Sequence, residues 1–250
     1  MYHQFLELAD VDITKGPMEV GPTCHYMMGG VRVDPDTGAA TVKGLFAAGE
    51  AAAGLHGANR LGGNSLSDLL VFGMRTGAGA AAHAAAMKAQ PYLDPVQVRD
   101  AARELAAPLE RGGDEDPYAI QRDLQAVMQR LVGIFRVEDD LQAAIGELAR
   151  LKSRWPGVGV GGGRTFNPGW NLVFELRNLL VVSEAITRSA LQRTESRGAH
   201  SRIDFPETDQ AGWGGRNSVV RRQRDGSMEV TTTSLPEMPR GLRALLGSAH

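Results

Sequence analysis

The stretch GLFAAGEAAAGLHGANRLGGNSLSDLL, residues 44–70, constrains this chain more than any other. An apolar run ends in glycine and a carboxylate, Glu50. A glycine-rich turn then carries His56 and Arg60, and a polar pair, Asn64 and Ser65, opens an apolar-periodic segment. That order predicts strand, turn and helix, with Asn64 or Ser65 as the N-cap and Asp68 in the first turn, where negative charge suits the helix dipole. Turns of this kind hold polar cofactors. Yet no glycine-rich strand-to-helix turn stands upstream, where a dinucleotide site ordinarily has its first half. The stretch reads as half of a cofactor site.

Each polar residue in it has a chemical reading beside a plain one. Glu50 at the C-terminal edge of a parallel sheet could accept hydrogen bonds from ribityl or ribose hydroxyls, and an exposed loop acid fits equally well. Gly62 and Gly63 let a flat ligand approach the backbone. The helix that follows offers unpaired N–H groups to an anion or to a ring carbonyl that gains charge on reduction. Arg60, one turn earlier, could hold a carboxylate in a bidentate fork. The flanking glycines favour that reading over a surface arginine. His25, in GPTCHYMMGG, and His56 are lone histidines, which more often pack or face solvent than bind a ligand. RTESRGAHSRIDFP, residues 193–206, reads as a solvated, salt-bridged loop containing Glu195, Arg197 and His200. GVGVGG, residues 157–162, matches G-x-G-x-x-G in letters only. It follows SRWP and leads into GRTFNPGW, so it is a glycine linker and not a nucleotide loop.

Elsewhere the periodicities separate cleanly. YHQFLELA, residues 2–9, reads as a helix that starts without a cap. Residues 28–33, 40–42 and 45–47 read as short strands around a turn at Asp34–Gly38, where Pro35 pre-sets φ and Gly38 supplies a positive one. The helix from Ser65 should run to about Lys88, with its small residues from Gly73 to Ala86 packing closely and Pro91 ending it. Residues 95–192 read as four helices. Asp116 and Pro117 open the second, and Leu124, Val127, Met128, Leu131 and Ile134 form a core stripe on it. The last sixty residues read as extended, with a hairpin turning at Asp225-Gly226.

Composition excludes several classes. A net charge of -2 gives no basic surface for nucleic acid or anionic lipid. No run of 18 apolar residues could span a membrane. The mixed, acidic N-terminus is not a signal peptide. The lone Cys24 rules out an internal disulfide, argues against a zinc site and fits a reducing compartment. No metal ligand set is expected.

Four blocks, PTCHYMMGG, GLFAAGE, HGANRLGGNSLSDLLVFG and TESRGAHSRIDFP, stand in the order and near the spacing found in one family. Together they resemble the C-terminal portion of the flavoprotein subunit of succinate dehydrogenase and fumarate reductase. L-aspartate oxidase shares the HGANRL and ESRG elements but is less similar in CHYMMGG and GGNSLSDLLVFG. The resemblance implies an α+β chain. Residues 1–20 would end a capping domain, 21–92 would form the second half of a discontinuous FAD-binding α/β domain, 93–192 a helical bundle domain, and 193–250 an extended segment with a β-hairpin.

By the same resemblance the cofactor is FAD, bonded by Glu50 and by the backbone amides of Ser65 and Leu66. His25 and Arg60 match the ligands of the dicarboxylate substrate, succinate or fumarate. The family's proton-transfer arginine, its other substrate ligands and the flavin-attachment histidine have no counterpart here, so no catalytic residue is assigned and the chain is expected to be inactive alone. The implied partners are an iron-sulfur subunit and membrane anchor subunits, with the complex at the inner face of a bacterial membrane. Two alternatives stand beside this: an L-aspartate oxidase-like flavoprotein, and a non-catalytic docking or assembly module built on the helical region.

Overall fold

The computed structural model describes residues 2–19, 21 and 23–247; Met1, Val20, Pro22 and residues 248–250, which the expected segment limits include, lie outside them. The chain is α+β and divides into two compact units, Met1–Ala86 and Met87–His250.

The first unit opens with α1 (Tyr2–Ala9), which buries none of its residues. The expected strands narrow to single bridges: Val31 with Ala52 in parallel, and Val33 with Ala40 and Ala39 with Phe46 in antiparallel fashion. Gly29, Gly30, Gly38, Gly44 and Gly49 all take positive φ, and each interrupts the extended backbone that a longer ladder requires. No parallel sheet therefore forms around Glu50 among the described residues of this unit. Gly49–Ala51 is instead a single 3₁₀ turn.

The turn after Val33 is as expected. The Asp34 carboxylate accepts from the Thr37 amide (2.9 Å) and hydroxyl (2.8 Å), and Gly38 sits at φ 68°. This turn rests on α2 (Asn64–Ala85), where a Cβ at Gly79 would lie 2.3 Å from the Thr37 carbonyl oxygen. Three expectations for α2 fail. The N-cap is Gly63 at φ 83°, with no side-chain cap, and Asn64 is already helical. Asp68 lies beyond the first turn and is 5% exposed, engaged by residues far away in sequence. The helix ends at Ala85, short of Lys88.

The second unit is a helical bundle with an extended appendage. α3 (Pro95–Glu110) and α4 (Pro117–Leu131) start at Asp-Pro pairs, with Asp94 and Asp116 accepting from Val96 N (2.9 Å) and Tyr118 N (3.0 Å). α5 (Glu138–Arg154) and α6 (Pro168–Gln192) complete the core. Ile120, Leu124, Val127 and Leu131 face Leu141, Ala144, Leu148 and Leu151, and Val173, Leu176 and Leu180. Every step is three or four residues, one face of each helix. Full burial of each leucine contributes about 1.5–3 kcal/mol. Met128 packs against this core from partial exposure. Ile134 does not join it, because α4 ends at Leu131 and Val132 takes the buried place.

Between α4 and α5 a two-residue strand, β1 (Phe135–Arg136), pairs in parallel with β2 (Ser201–Arg202). The expected hairpin is β3 (Arg216–Arg222) with β4 (Met228–Ser234), closing through Gly226 at φ 87°. The tail is not wholly extended, since α7 (Arg240–Gly247) is helical. Gly159, in the glycine linker, packs so closely that a Cβ there would meet Gly113 N at 2.1 Å, and Val158 beside it is buried.

Candidate functional site

Segment 25–27 is where the first unit gathers its polar side chains. The parallel bridge at Val31 sets the segment's direction: Val31 N donates to Ala51 O (2.8 Å) and Ala53 N to Val31 O (2.9 Å). Gly30 permits this approach, since a Cβ there would lie 2.3 Å from Ala51 O. Glu50, carried by the 3₁₀ turn, then reaches the segment and accepts from Met27 N at 2.8 Å through Oε1.

One residue back, the Tyr26 ring supports Arg60. The guanidinium carbon lies 4.6 Å from the ring centroid, a cation–π contact. Arg60 Nη1 donates to Leu61 O at 3.0 Å, while its buried Nε has no hydrogen-bond partner. A buried, unpaired donor on a cation is costly unless something else accepts from it. His25 precedes Tyr26 directly and is exposed.

Beneath Tyr26 lies Asp68. Its Oδ2 accepts from the Tyr26 hydroxyl at 3.3 Å and from His56 Nε2 at 3.3 Å. A carboxylate only accepts, so His56 carries its proton on Nε2. The Tyr26 and His56 rings meet edge to face at 5.3 Å. Burial, and then the Asp68 charge, hold the Tyr26 phenol above its ordinary pKa, so it stays a neutral donor.

Of the residues expected from the sequence, His25, Glu50 and Arg60 therefore converge on one short segment. Ser65 and Leu66 lie in the first turn of α2, but the Leu66 amide donates to Gly63 O at 3.2 Å, the opening bond of the helix. Sequence reasoning missed Tyr26 and Asp68. The available signal was an aromatic beside His25 and a carboxylate on the inward face of α2.

The segment 193–206 is not a solvated loop. Glu195 and Arg202 are fully buried. Glu195 accepts from Arg193, from Arg197 (2.9 and 3.0 Å) and from Asp209 N (2.9 Å). Burial pushes its carboxyl up, and these donors more than offset that and lower it. His200 Nδ1 accepts from Arg136 at 2.9 Å and Nε2 donates to Arg193 O at 3.1 Å. Burial lowers its pKa, helped by the nearby arginines.

A cleft of about 430 Å³ between loops 113–118 and 159–169 contains none of the convergent residues. Among the described residues no cluster of three or more His, Cys, Asp or Glu could hold a metal ion, and no helix is long and apolar enough to cross a membrane.

Two family models match this chain: an FAD binding domain over residues 1–66 and the fumarate reductase flavoprotein C-terminus over residues 121–241. The chain belongs to the succinate dehydrogenase and fumarate reductase flavoprotein family. FAD is the cofactor that the first match assigns.

The chain is 42% identical over 219 residues to the fumarate reductase flavoprotein subunit of Mycobacterium tuberculosis, covering 84% of this chain and 37% of that protein. It is 38% identical over 218 residues to the succinate dehydrogenase flavoprotein subunit of Coxiella burnetii, covering 83% and 37%. The solved structure of Mycobacterium smegmatis Sdh1 in complex with UQ1 superposes with a TM-score of 0.91 at 50% identity, covering 98% of this chain and 42% of that one. This family member thus spans less than half the length of the relatives it matches.

Proposed function

We propose that this chain supplies one wall of the FAD and dicarboxylate site of a flavoprotein that interconverts succinate and fumarate. The single observation that carries the reading is Arg60: a guanidinium fixed on Tyr26 beside His25, with a buried Nε that lacks an acceptor. A substrate carboxylate provides that acceptor, in the bidentate geometry a guanidinium favours. His25 takes the second carboxylate.

The residues present also fit FAD. Gly57, Gly62 and Gly63 have open space where a Cβ would stand, so a flat ring system can lie against their backbone. Exposed Leu61, Leu66, Leu69 and Leu70 line the same segment and the start of α2 with apolar surface. Glu50 spends one oxygen on Met27 N, and we assign the other to a cofactor hydroxyl. We assign the Ser65 amide at the α2 N-terminus to the side where negative charge develops, while the Leu66 amide stays with Gly63 O. FAD held by Glu50 and the α2 N-terminus would supply a hydride acceptor for one methylene carbon of succinate. The chain's own contribution is to hold both carboxylates in register and keep the substrate flat.

In this reading residues 1–20 belong to a capping domain, 21–92 to the FAD domain, 93–192 to the bundle and 193–250 to the tail. Electrons leave through an iron-sulfur subunit to quinone, and anchor subunits hold the complex at the inner face of the bacterial membrane. The 250 residues alone neither retain FAD nor turn over succinate.

The test joins residues 1–250 to the N-terminal part of the M. smegmatis Sdh1 flavoprotein. The joined protein should show a bound flavin spectrum and succinate-dependent dye reduction, and Arg60→Ala should abolish the latter. Turnover by the 250 residues alone, or an unchanged kcat/KM in Arg60→Ala, would overturn the reading. Activity on aspartate in place of succinate would redirect it to L-aspartate oxidase.

A further inference from the structure

We propose that Asp68 is a positioning residue for Arg60, acting through Tyr26, so that a buried carboxylate on α2 sets the angle of the substrate-binding guanidinium. The inference rests on the reading of Arg60 given above. The chain of contacts has three links. Asp68, 5% exposed, has little water to satisfy it and accepts from two side chains, the Tyr26 hydroxyl and His56 Nε2, both at 3.3 Å. His56 and Tyr26 in turn brace each other, with rings at 85° and centroids 5.3 Å apart. The Tyr26 face then carries the Arg60 guanidinium at 4.6 Å.

A stacked guanidinium is free to turn about the ring normal unless its hydrogen bonds prevent it. Here one bond, Nη1 to Leu61 O, fixes one arm. The remaining donors point where the ring plane directs them. That plane depends on the hydroxyl anchor, because Tyr26 belongs to an irregular segment with no ladder to hold it. Asp68 sits on α2, the longer helix of the unit, and so gives the Tyr26 ring a fixed point of attachment. His56 completes the clamp: its Nε2 and the Tyr26 hydroxyl meet on the same oxygen, Asp68 Oδ2.

This arrangement predicts effects that appear in substrate binding and vanish when Arg60 is gone. In the joined flavoprotein, Asp68→Asn keeps the side-chain volume but removes the charge that orders both donors. Malonate affinity by calorimetry and KM for succinate should each weaken on the order of tenfold, as expected when a binding group is tilted and not lost. FAD content and melting temperature should stay near those of the parent. Tyr26→Phe keeps the stacked ring and loses the anchor, so it should show the same change and add little to Asp68→Asn when combined. In an Arg60→Ala background, Asp68→Asn should change malonate affinity less than twofold.

An equal effect of Asp68→Asn with and without Arg60 would overturn the proposal, since it would mark a general structural role. Unchanged malonate affinity in both Asp68→Asn and Tyr26→Phe would overturn it as well. If Asp68→Asn fails to fold or to load FAD, Tyr26→Phe alone decides by the same measurements. A parent protein that does not bind malonate, or whose binding ignores Arg60→Ala, sinks the underlying reading instead.

Discussion

Arg202 and Asp204 stand two residues apart and face each other through two parallel bonds of 2.7 Å, Nε to Oδ1 and Nη2 to Oδ2, with the guanidinium fully buried. Arg202 also donates to the carbonyls of Ala190 and Leu191 at the end of α6 (3.0 and 3.2 Å). Asp204 Oδ2 accepts from Glu138 N at 2.9 Å, capping α5, whose own N-cap residue, Val137, supplies no side-chain acceptor. One ion pair thus ties two core helices to the segment after α6. Asp204→Ala should destabilise the second unit by about 3–5 kcal/mol, because it strands a buried cation and uncaps α5. The urea midpoint of the helical signal checks this.

The same pair makes a pH prediction. The Arg202 guanidinium holds the Asp204 carboxyl down at about 2. A carboxyl depressed in the folded state stabilises above its unfolded pKa, and that stability is lost as pH falls toward the folded value. Urea midpoints should therefore drop as pH falls from about 4 to about 2, and Asp204→Asn should flatten this part of the curve.

His200 should act at milder acidity. Its folded pKa lies below 6.5 because burial disfavours the imidazolium and three arginines surround it. The neutral ring is the form that accepts from Arg136 and donates to Arg193 O. Stability is full above pH 6.5 and falls as pH drops below it. His200→Gln, which cannot protonate, should remove that loss; an unchanged slope between pH 7 and pH 5 would rule this account out.

Two glycines on α2 should respond oppositely to alanine. Gly77 has nothing within 4 Å of a would-be Cβ, so Gly77→Ala should stabilise the first unit by about 0.5–1 kcal/mol through helix propensity. Gly79→Ala gains the same propensity but drives a methyl to 2.3 Å from the Thr37 carbonyl oxygen, and should lower the melting temperature.

Leu176 and Leu179 lie on α6, 0% and 42% exposed. Leu176→Ala should cost about 2–5 kcal/mol as the core is left with a cavity. Leu179→Ala should cost about 1 kcal/mol or less. Denaturant midpoints of the two variants separate these outcomes.

Much of the second unit was legible from residue order because its signals are local. Asp94-Pro95 and Asp116-Pro117 start helices by supplying a side-chain acceptor and a preset φ, and steps of three and four place Leu124, Val127 and Leu131 on one face. Asp225-Gly226 closes the hairpin for the same kind of reason. In the first unit, by contrast, the stretch that looked like strands became isolated bridges, since several glycines needed positive φ.

The sequence by itself determined where α3 and α4 start, where the hairpin turns, and that Glu50, Arg60 and His25 belong to blocks of a flavoprotein. Those outcomes depend on neighbours a few residues away. Only the tertiary structure decided that Asp68 leaves the dipole role for a buried clamp on Tyr26 and His56, and that Glu195 and Arg202 lose their water. Asp68 is met by Tyr26 and His56 from elsewhere in the chain, while Glu195 and Arg202 pair with residues two positions away but lose their water only as Asp209 N and the α6 carbonyls close over them, and no local pattern records that packing.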